Sequence, residues 1–337
     1  MRLLIVTQKV DRSDPILGFF HRWLLEFALH CDQVHVIGQM KGDYDLPDNI
    51  KVHSMGKESG ASKLSQILKF WKLQRLLRHD YDCVLVHMTP VWVVLGFFNW
   101  FLLRKKVYLW YEARGGGWAL PISLRLVKKV FSATEYGLPR PSKRRVITGH
   151  GIDTEFFKPT GQIEKGLVSS VGRITKRKHF EVILKAFSEL PSDYRLEIAG
   201  VTIRKDDEVE LESLKKLMGE FGITDRVSIK KMTHEEVRNL LQRSELMLHS
   251  CRGGLDKIVL EAMSVGCLTV SSSKAAGHVL PTEGLSMDEE MGERANELLK
   301  LSDEEKAKLS EQLRQKVIDG HGLSRLVGRL VEEMGKR

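Results

Sequence analysis

Three things are scarce in this chain of 337 residues: cysteines at useful spacings, long apolar runs, and glycines where a dinucleotide site needs them. The four cysteines, Cys31, Cys83, Cys251 and Cys267, lie far apart and show no metal-ligand spacing. Cys83 and Cys267 fall in strand-like runs and read as core, so a reduced, cytosolic chain is expected. The longest apolar stretch, VWVVLGFFNWFLL (91–103), has 13 residues. A membrane span needs about 20, so this stretch reads as a buried or interfacial helix. The opening MRLLIVTQKV is apolar only briefly before Lys9, too short for a signal peptide. No glycine precedes Gly18 in TQKVDRSDPILGFF, which excludes the G-x-G-x-x-G fingerprint after a first strand and with it a nicotinamide cofactor. Walker and zinc patterns are absent too.

What is present is a soluble globular composition, 42% hydrophobic and 29% charged. At about 150 residues per domain, the length suggests two. The formal charge of +9 is unevenly placed: residues 1–160 hold 24 Lys+Arg against 14 Asp+Glu, and the remainder 29 against 30. All the excess lies in the first half. An anionic partner there (nucleic acid, acidic glycan or membrane headgroups) is one reading, and a solvated basic surface is the other.

Periodicity alternates between strand and helix. LLIVT (3–7), QVHVIG (33–38), CVLVH (83–87), KVYLWY (106–111), KVFSA (129–133) and RVITG (145–149) read as strands. Phe20, Trp23, Leu24, Phe27 and Ala28 mark a helix, and 62–79 is a second, amphipathic one. The pattern resets at GLVSSVG (166–172), with strands at 195–200, 226–229, 245–250 and 267–272 and helices at 178–189, 207–221, 234–243 and 256–264. Everything after Ser286 reads as helices. Alternation on this scale predicts two successive parallel sheets, each covered on both faces. The expected domains are 1–157 and 166–320, joined by a polar linker at 158–165 that carries Pro159 and Gly161, with 321–337 a helix returning to the first domain.

Two doubly wound domains hold ligands at the carboxyl ends of their strands. Two stretches bid for an anion there. In SSVGRITKRKHFEVILKAF, Arg173, Lys176, Arg177 and Lys178 crowd an expected helix N-terminus, where cations oppose the macrodipole unless an anion joins them. A diphosphate suits them, and a solvated basic turn is the plain alternative. In CRGGLDKIVLEAMSVGC (251–267), Gly253 and Gly254 lead into a helix with Asp256 as a candidate N-cap. Inside that helix Glu261 stands among Ile258, Val259, Leu260, Ala262, Met263 and Val265. A buried unpartnered carboxylate is costly, so Glu261 should meet something, either a ligand or Lys257 one turn earlier. Gly18, opening the first helix, would let a ligand approach the backbone.

These motifs, with VITGHGIDTEFFKP at the domain junction, resemble the GT-B glycosyltransferases, specifically the retaining enzymes of family four (group 1 type), over nearly the whole chain. The resemblance implies an α/β fold of two Rossmann-like doubly wound parallel-sheet domains facing a cleft, and a nucleotide-sugar donor held mainly by the C-terminal domain. It implies no cofactor and no metal, with a UDP-sugar or GDP-sugar as donor substrate. It places Arg173 and Lys178 on the donor diphosphate, as binding and catalytic groups. Glu261 falls on the ribose hydroxyls, and Gly18, Gly254, Leu255, Asp256 and Lys257 complete the donor set.

Two positions depart from the family pattern. The carboxylate expected eight residues before Glu261 is Gly253, and the histidine expected after strand 106–111 is Ala113, between Glu112 and Arg114. His87, ending an earlier strand, is the fallback catalytic histidine or else an ordinary strand-end residue. In the front-face mechanism the resemblance implies, the departing phosphate oxygen takes the acceptor's proton, so a protein base is less essential. The expected acceptor is a hydroxyl of a glycan or lipid-linked glycan in cell-surface polysaccharide, lipopolysaccharide or glycolipid synthesis. The basic helix 62–79 and LLRKK suit an anionic membrane surface, on the inner face of the cell membrane. Rival readings are a catalytically impaired nucleotide-sugar-binding assembly partner, a GT-B enzyme of another reaction type such as an epimerase, and a nucleic-acid binder. The last rests on charge alone, and no nucleic acid is expected.

Overall fold

The computed structural model describes residues 1–14, 16–113 and 115–336, so Arg114 lies outside the described residues. The chain forms two compact units, Met1–Gly151 with Leu323–Arg337, and Ile152–Gly322.

The first unit runs β1 (Arg2–Val10), α1 (Phe19–His30), β2 (Gln33–Lys41), β3 (Ile50–Ser54), α2 (Lys63–Leu76), β4 (Cys83–His87), α3 (Pro90–Leu102), β5 (Lys106–Trp110), α4 (Ala119–Leu126), β6 (Lys129–Ser132) and β7 (Arg145–Ile147). The seven strands pair in parallel in the order β3-β2-β1-β4-β5-β6-β7. Successive residues of a strand point to opposite faces, and β1 shows why its run is continuously apolar. Leu3 and Ile5 enter one core with Trp23 and Phe27 of α1, while Leu4 and Val6 enter another with Phe70 of α2 and Trp92 and Trp100 of α3.

The second unit runs β8 (Glu164–Arg173), α5 (Phe180–Ser188), β9 (Arg195–Val201), α6 (Lys205–Glu220), β10 (Val227–Lys230), α7 (His234–Arg243), β11 (Ser244–His249), α8 (Lys257–Ser264), β12 (Leu268–Ser271), α9 (Met291–Leu299) and α10 (Asp303–His321). Its five parallel strands take the order β10-β9-β8-β11-β12. In both sheets the order reverses beside the first strand, between β1 and β4 and between β8 and β11. Those reversals are the topological switch points at which doubly wound folds bind ligands.

The division falls at Gly151/Ile152, earlier than the polar stretch expected to be a linker. The residues just before that stretch pack into the second unit: Phe157 is buried in its core, and the Phe157 carbonyl accepts from Ser264 Oγ at 2.6 Å and Arg314 Nη1 at 3.1 Å. The last helix, α11 (Leu323–Gly335), belongs to the first unit. It buries Leu323, Leu326, Val327, Leu330 and Met334 there, and Tyr108 Oη donates to the Met334 carbonyl at 3.0 Å.

Candidate active site

Lys178 and Asp256 meet at the second switch point. β8 ends at Gly172-Arg173, a 3-10 turn covers Lys176–Lys178, and α5 starts only at Phe180, after His179 in the left-handed region at φ 46°. The turn swings Lys178 back over the strand end: a Cβ on Gly172 would lie 3.3 Å from Lys178 Cδ and Cε. Its ammonium pairs with Asp256 Oδ2, and His249 Nε2, at the end of β11, stands 3.4 Å from the same oxygen. The imidazole is oriented from behind by Ser271, 2.8 Å from Nδ1. Burial works against both charges of the pair. Mutual attraction outweighs it, so the Lys178 ammonium is held above its ordinary value, and Lys178 with His249 holds the Asp256 carboxyl well below its own.

Asp256 occupies the N-cap position of α8, but its side chain makes no capping bond and is turned to Lys178 and His249 instead. The crowding of cations before α5 is likewise relieved within the chain. Arg173 Nε lies 3.5 Å from Asp207 Oδ2, Lys178 has Asp256, and Glu181 in the first turn of α5 receives His179 Nδ1 at 2.7 Å. Lys176 and Arg177 remain exposed. A bound anion is thus not required to explain these positions, though two exposed cations and a half-exposed Arg173 still face outward at the strand ends.

His249, Cys251 and Asp256 place ligand atoms within 4.8 Å of one another. The Lys178 ammonium already sits on the Asp256 oxygen, and burial pushes the Cys251 thiol up, away from the thiolate a metal would want. The group has the chemistry of an ion-paired cluster rather than of a metal ligand set.

Glu261 lies on the inner side of α8, 6% exposed. It has two partners: Lys257 Nζ, one turn back, at 3.4 Å, and His234 Nε2, opening α7, at 3.5 Å from the same oxygen. Burial opposes its charge, but Lys257 and His234 outweigh the penalty and hold its carboxyl below the usual range. His234 is held in turn by Phe156, whose ring stacks on it at 5.4 Å. Leu255 is buried beneath the loop, and Gly253 opens to free space, with no atom within 4 Å of where its Cβ would be.

In the first unit two expected site residues turn inward. Gly18 begins α1, and a Cβ there would stand 2.5 Å from the Asp14 carbonyl oxygen and 2.8 Å from that of Arg12. Its missing side chain makes room for the chain's own turn, so a close ligand approach is not the reason for this glycine. His87, at the first switch point, is 1% exposed. It stacks on Phe20 at 4.2 Å and Trp110 at 5.3 Å, and Thr7 Oγ1 lies 3.2 Å from its Nδ1. That is a buried histidine bridging β1 and β4. Ala113 is half-buried, its backbone N–H on the Gly137 carbonyl at 2.8 Å.

His234, His249 and Asp207 were not singled out from the sequence. For His249 a signal existed: it ends a strand just before the Gly253-Gly254 loop. A cavity of about 750 Å³ opens at the opposite, amino ends of the second sheet, beside Gly166, Ser244 and Leu268. Doubly wound sheets do not use that end for their substrates.

Two doubly wound parallel-sheet units in succession are the architecture of the GT-B fold. Residues 152–316, nearly the whole second unit and just under half of the chain, match the family model of glycosyl transferases group 1. An uncharacterized glycosyltransferase of Methanocaldococcus jannaschii is 33% identical over 104 residues, 30% of this chain and 26% of that one. The human GDP-Man:Man(3)GlcNAc(2)-PP-Dol alpha-1,2-mannosyltransferase is 24% identical over 170 residues, 45% of this chain and 35% of that one. The matches thus span only about a quarter and a third of these relatives' lengths. Among solved structures, Anabaena HepE in complex with UDP-glucose superposes with a TM-score of 0.77 at 14% identity, covering 99% of both chains.

Proposed function

We propose that this chain is a retaining glycosyltransferase that moves a sugar from a nucleoside-diphosphate sugar to a hydroxyl of a glycan or lipid-linked glycan, without a metal ion. The observation that carries the reading is Lys178 at the end of β8, stapled beside the N-terminus of α8, with Glu261 one turn inside that helix. Lys178 and Arg173 would stabilise negative charge growing on the donor's β-phosphate as the bond to the anomeric carbon breaks, and Glu261 would accept from the ribose hydroxyls. The acceptor's oxygen bonds to the anomeric carbon on the same face, and its proton passes to the departing phosphate oxygen. Gly254, Leu255 and Lys257 would line the donor. HepE binding UDP-glucose favours a UDP donor, and the name of the human relative, a mannosyltransferase using GDP-Man on a lipid-linked glycan, makes GDP the alternative.

The test is incubation of the full chain with UDP-glucose and with GDP-mannose, beside Glu261→Ala and under chelator. Release of nucleoside diphosphate is measured, and product anomers are read by NMR. A product of retained configuration, absent with the variant, supports the reading, and an inverted product contradicts it. Gly253 and Ala113 favour a second reading, a nucleotide-sugar-binding partner without turnover. Tight donor binding with neither transfer nor hydrolysis identifies that case. The basic first unit also suits work at an anionic membrane surface.

A further inference from the structure

Among the described residues no helix is long and apolar enough to cross a membrane. Two helices of the first unit nevertheless present apolar side chains to the outside. α2 buries Phe70, with Ile67 and Leu73 packed beside it and Gln66 and Gln74 on the same side, while Leu64, Leu68 and Trp71 stand 66, 55 and 41% exposed. Those three follow i, i+4, i+7 and form one stripe. α3 exposes Phe98, Phe101 and Leu102 at 70, 66 and 63%, again on one face.

The helices lie together. Trp71 Nε1 donates to the Leu95 carbonyl at 2.8 Å, and Asn99 Nδ2 donates to Gln74 Oε1 at 2.9 Å. Both ties advance in the same direction, so the helices run side by side, with the α2 stripe and the α3 stripe following each other along the pair. Lys63, Lys69, Lys72 and Arg75 of α2 are exposed beside them, and Arg78 and Arg104 follow just past the helix ends. No Asp or Glu occurs between Glu58 and Asp80, or from Cys83 to Tyr111.

Large apolar side chains exposed together on one pair of helices and rimmed by charge mark an interaction surface. The chemistry of the rim selects the partner. A second copy of this face would set cation against cation, and a nucleic acid would leave Leu64, Leu68 and Leu102 without a role. Apolar side chains ringed by Lys and Arg match the boundary between acyl chains and anionic headgroups.

We propose that the outer face of α2 and α3 docks the first unit on an anionic lipid bilayer, with Trp71, Phe98, Phe101 and Leu102 entering the interface and the Lys and Arg side chains meeting headgroups. This deepens the membrane-surface part of the proposed function. It stands on the first unit alone, so its failure leaves donor binding by the second unit untouched.

The experiment is co-sedimentation of the full chain with phosphatidylcholine vesicles, with and without phosphatidylglycerol. Two variants are compared, Phe98→Ser with Phe101→Ser and Lys69→Glu with Lys72→Glu, each checked for an unchanged unfolding midpoint and unchanged nucleotide binding. Binding is expected only with the anionic lipid and should weaken with salt. Each surface cation counts for about fivefold in partition, so the charge-reversal pair should fall by well over tenfold. The Phe pair should lose sedimentation at all salt concentrations. Equal binding to both vesicle types, or wild-type binding by either variant, overturns the proposal. So does a dimer that the Phe pair dissociates while vesicles bind nothing.

Discussion

Lys178 and Asp256, from the turn after β8 and the cap position of α8, form an ion pair across the second switch point. The cation proposed to meet a donor diphosphate is therefore already paired within its own chain. The pair fixes the ammonium in place, at the expense of some of its field.

Asp256→Asn should expose that trade. Lys178 would remain largely buried without its carboxylate, with an expected loss of about 1–3 kcal/mol, reduced from the fully buried case because the pair is partly solvated. A nucleoside diphosphate would then replace the missing anion. Thermal unfolding should show a lower midpoint for the variant and a larger upward shift with UDP than in the parent. Identical midpoints would contradict the pairing.

Lys178→Ala and Arg173→Ala should separate the two cations. Charge-assisted bonds to a buried group are worth enough that losing Lys178 should weaken diphosphate binding about ten- to a hundredfold. Arg173 is more exposed and shares its guanidinium with Asp207, so its loss should matter less. Calorimetric titration of both variants checks the order, and a larger effect at Arg173 reverses the assignment.

His87→Phe should keep the aromatic stack with Phe20 and Trp110 and lose the contact to Thr7. The expected cost is about 1 kcal/mol in unfolding free energy, with the transfer rate unchanged. A collapse of kcat at near-normal stability would restore His87 to a catalytic role.

Acid should weaken the second unit in two stages. Burial lowers the His321 imidazole to about 4, with Lys316 adding to the effect, against 6.5 when free. Between those values the unfolded chain holds more protons. The contribution of His321 is therefore complete above pH 6.5 and disappears as pH falls toward 4, a change on the order of 3 kcal/mol. The depressed carboxyls of Asp256 and Glu261 add stability above their ordinary range, which is lost as pH falls below it. Denaturant unfolding from pH 7 to 4 should be steeper for the parent than for His321→Gln. Parallel curves would show that His321 is not the titrating group.

The alternation of strands and helices was legible because parallel strands buried on both faces read as unbroken apolar runs, as in LLIVT and CVLVH. β3 was missed: IKVHS is short and half polar, and it is held by its pairing with β2 rather than by its own pattern. α4 was missed because ALPISLRL carries Pro121 and spans only 8 residues. Pro159 and Gly161 suggested a linker, yet the chain has already entered the second unit at Ile152, where Phe157 is buried by long-range contacts no local pattern announces. At the site, Glu261 and Lys178 were legible as charges out of place. Their partners His234, His249 and Asp207 come from other elements, and only the fold brings them within reach. For His87 and Gly18 the sequence left the reading open, because a strand-end histidine and a helix-opening glycine look the same whether they face a ligand or the chain itself.

The most direct test of the donor site is calorimetric titration of the full chain with UDP, GDP and ADP under chelator, beside Glu261→Ala. One diphosphate should bind tightly, and the variant should weaken it by about tenfold or more, since a carboxylate accepting hydroxyl bonds is removed. If no diphosphate binds, or Glu261→Ala binds as the parent does, Glu261 serves only Lys257 and His234, and the donor-site account fails.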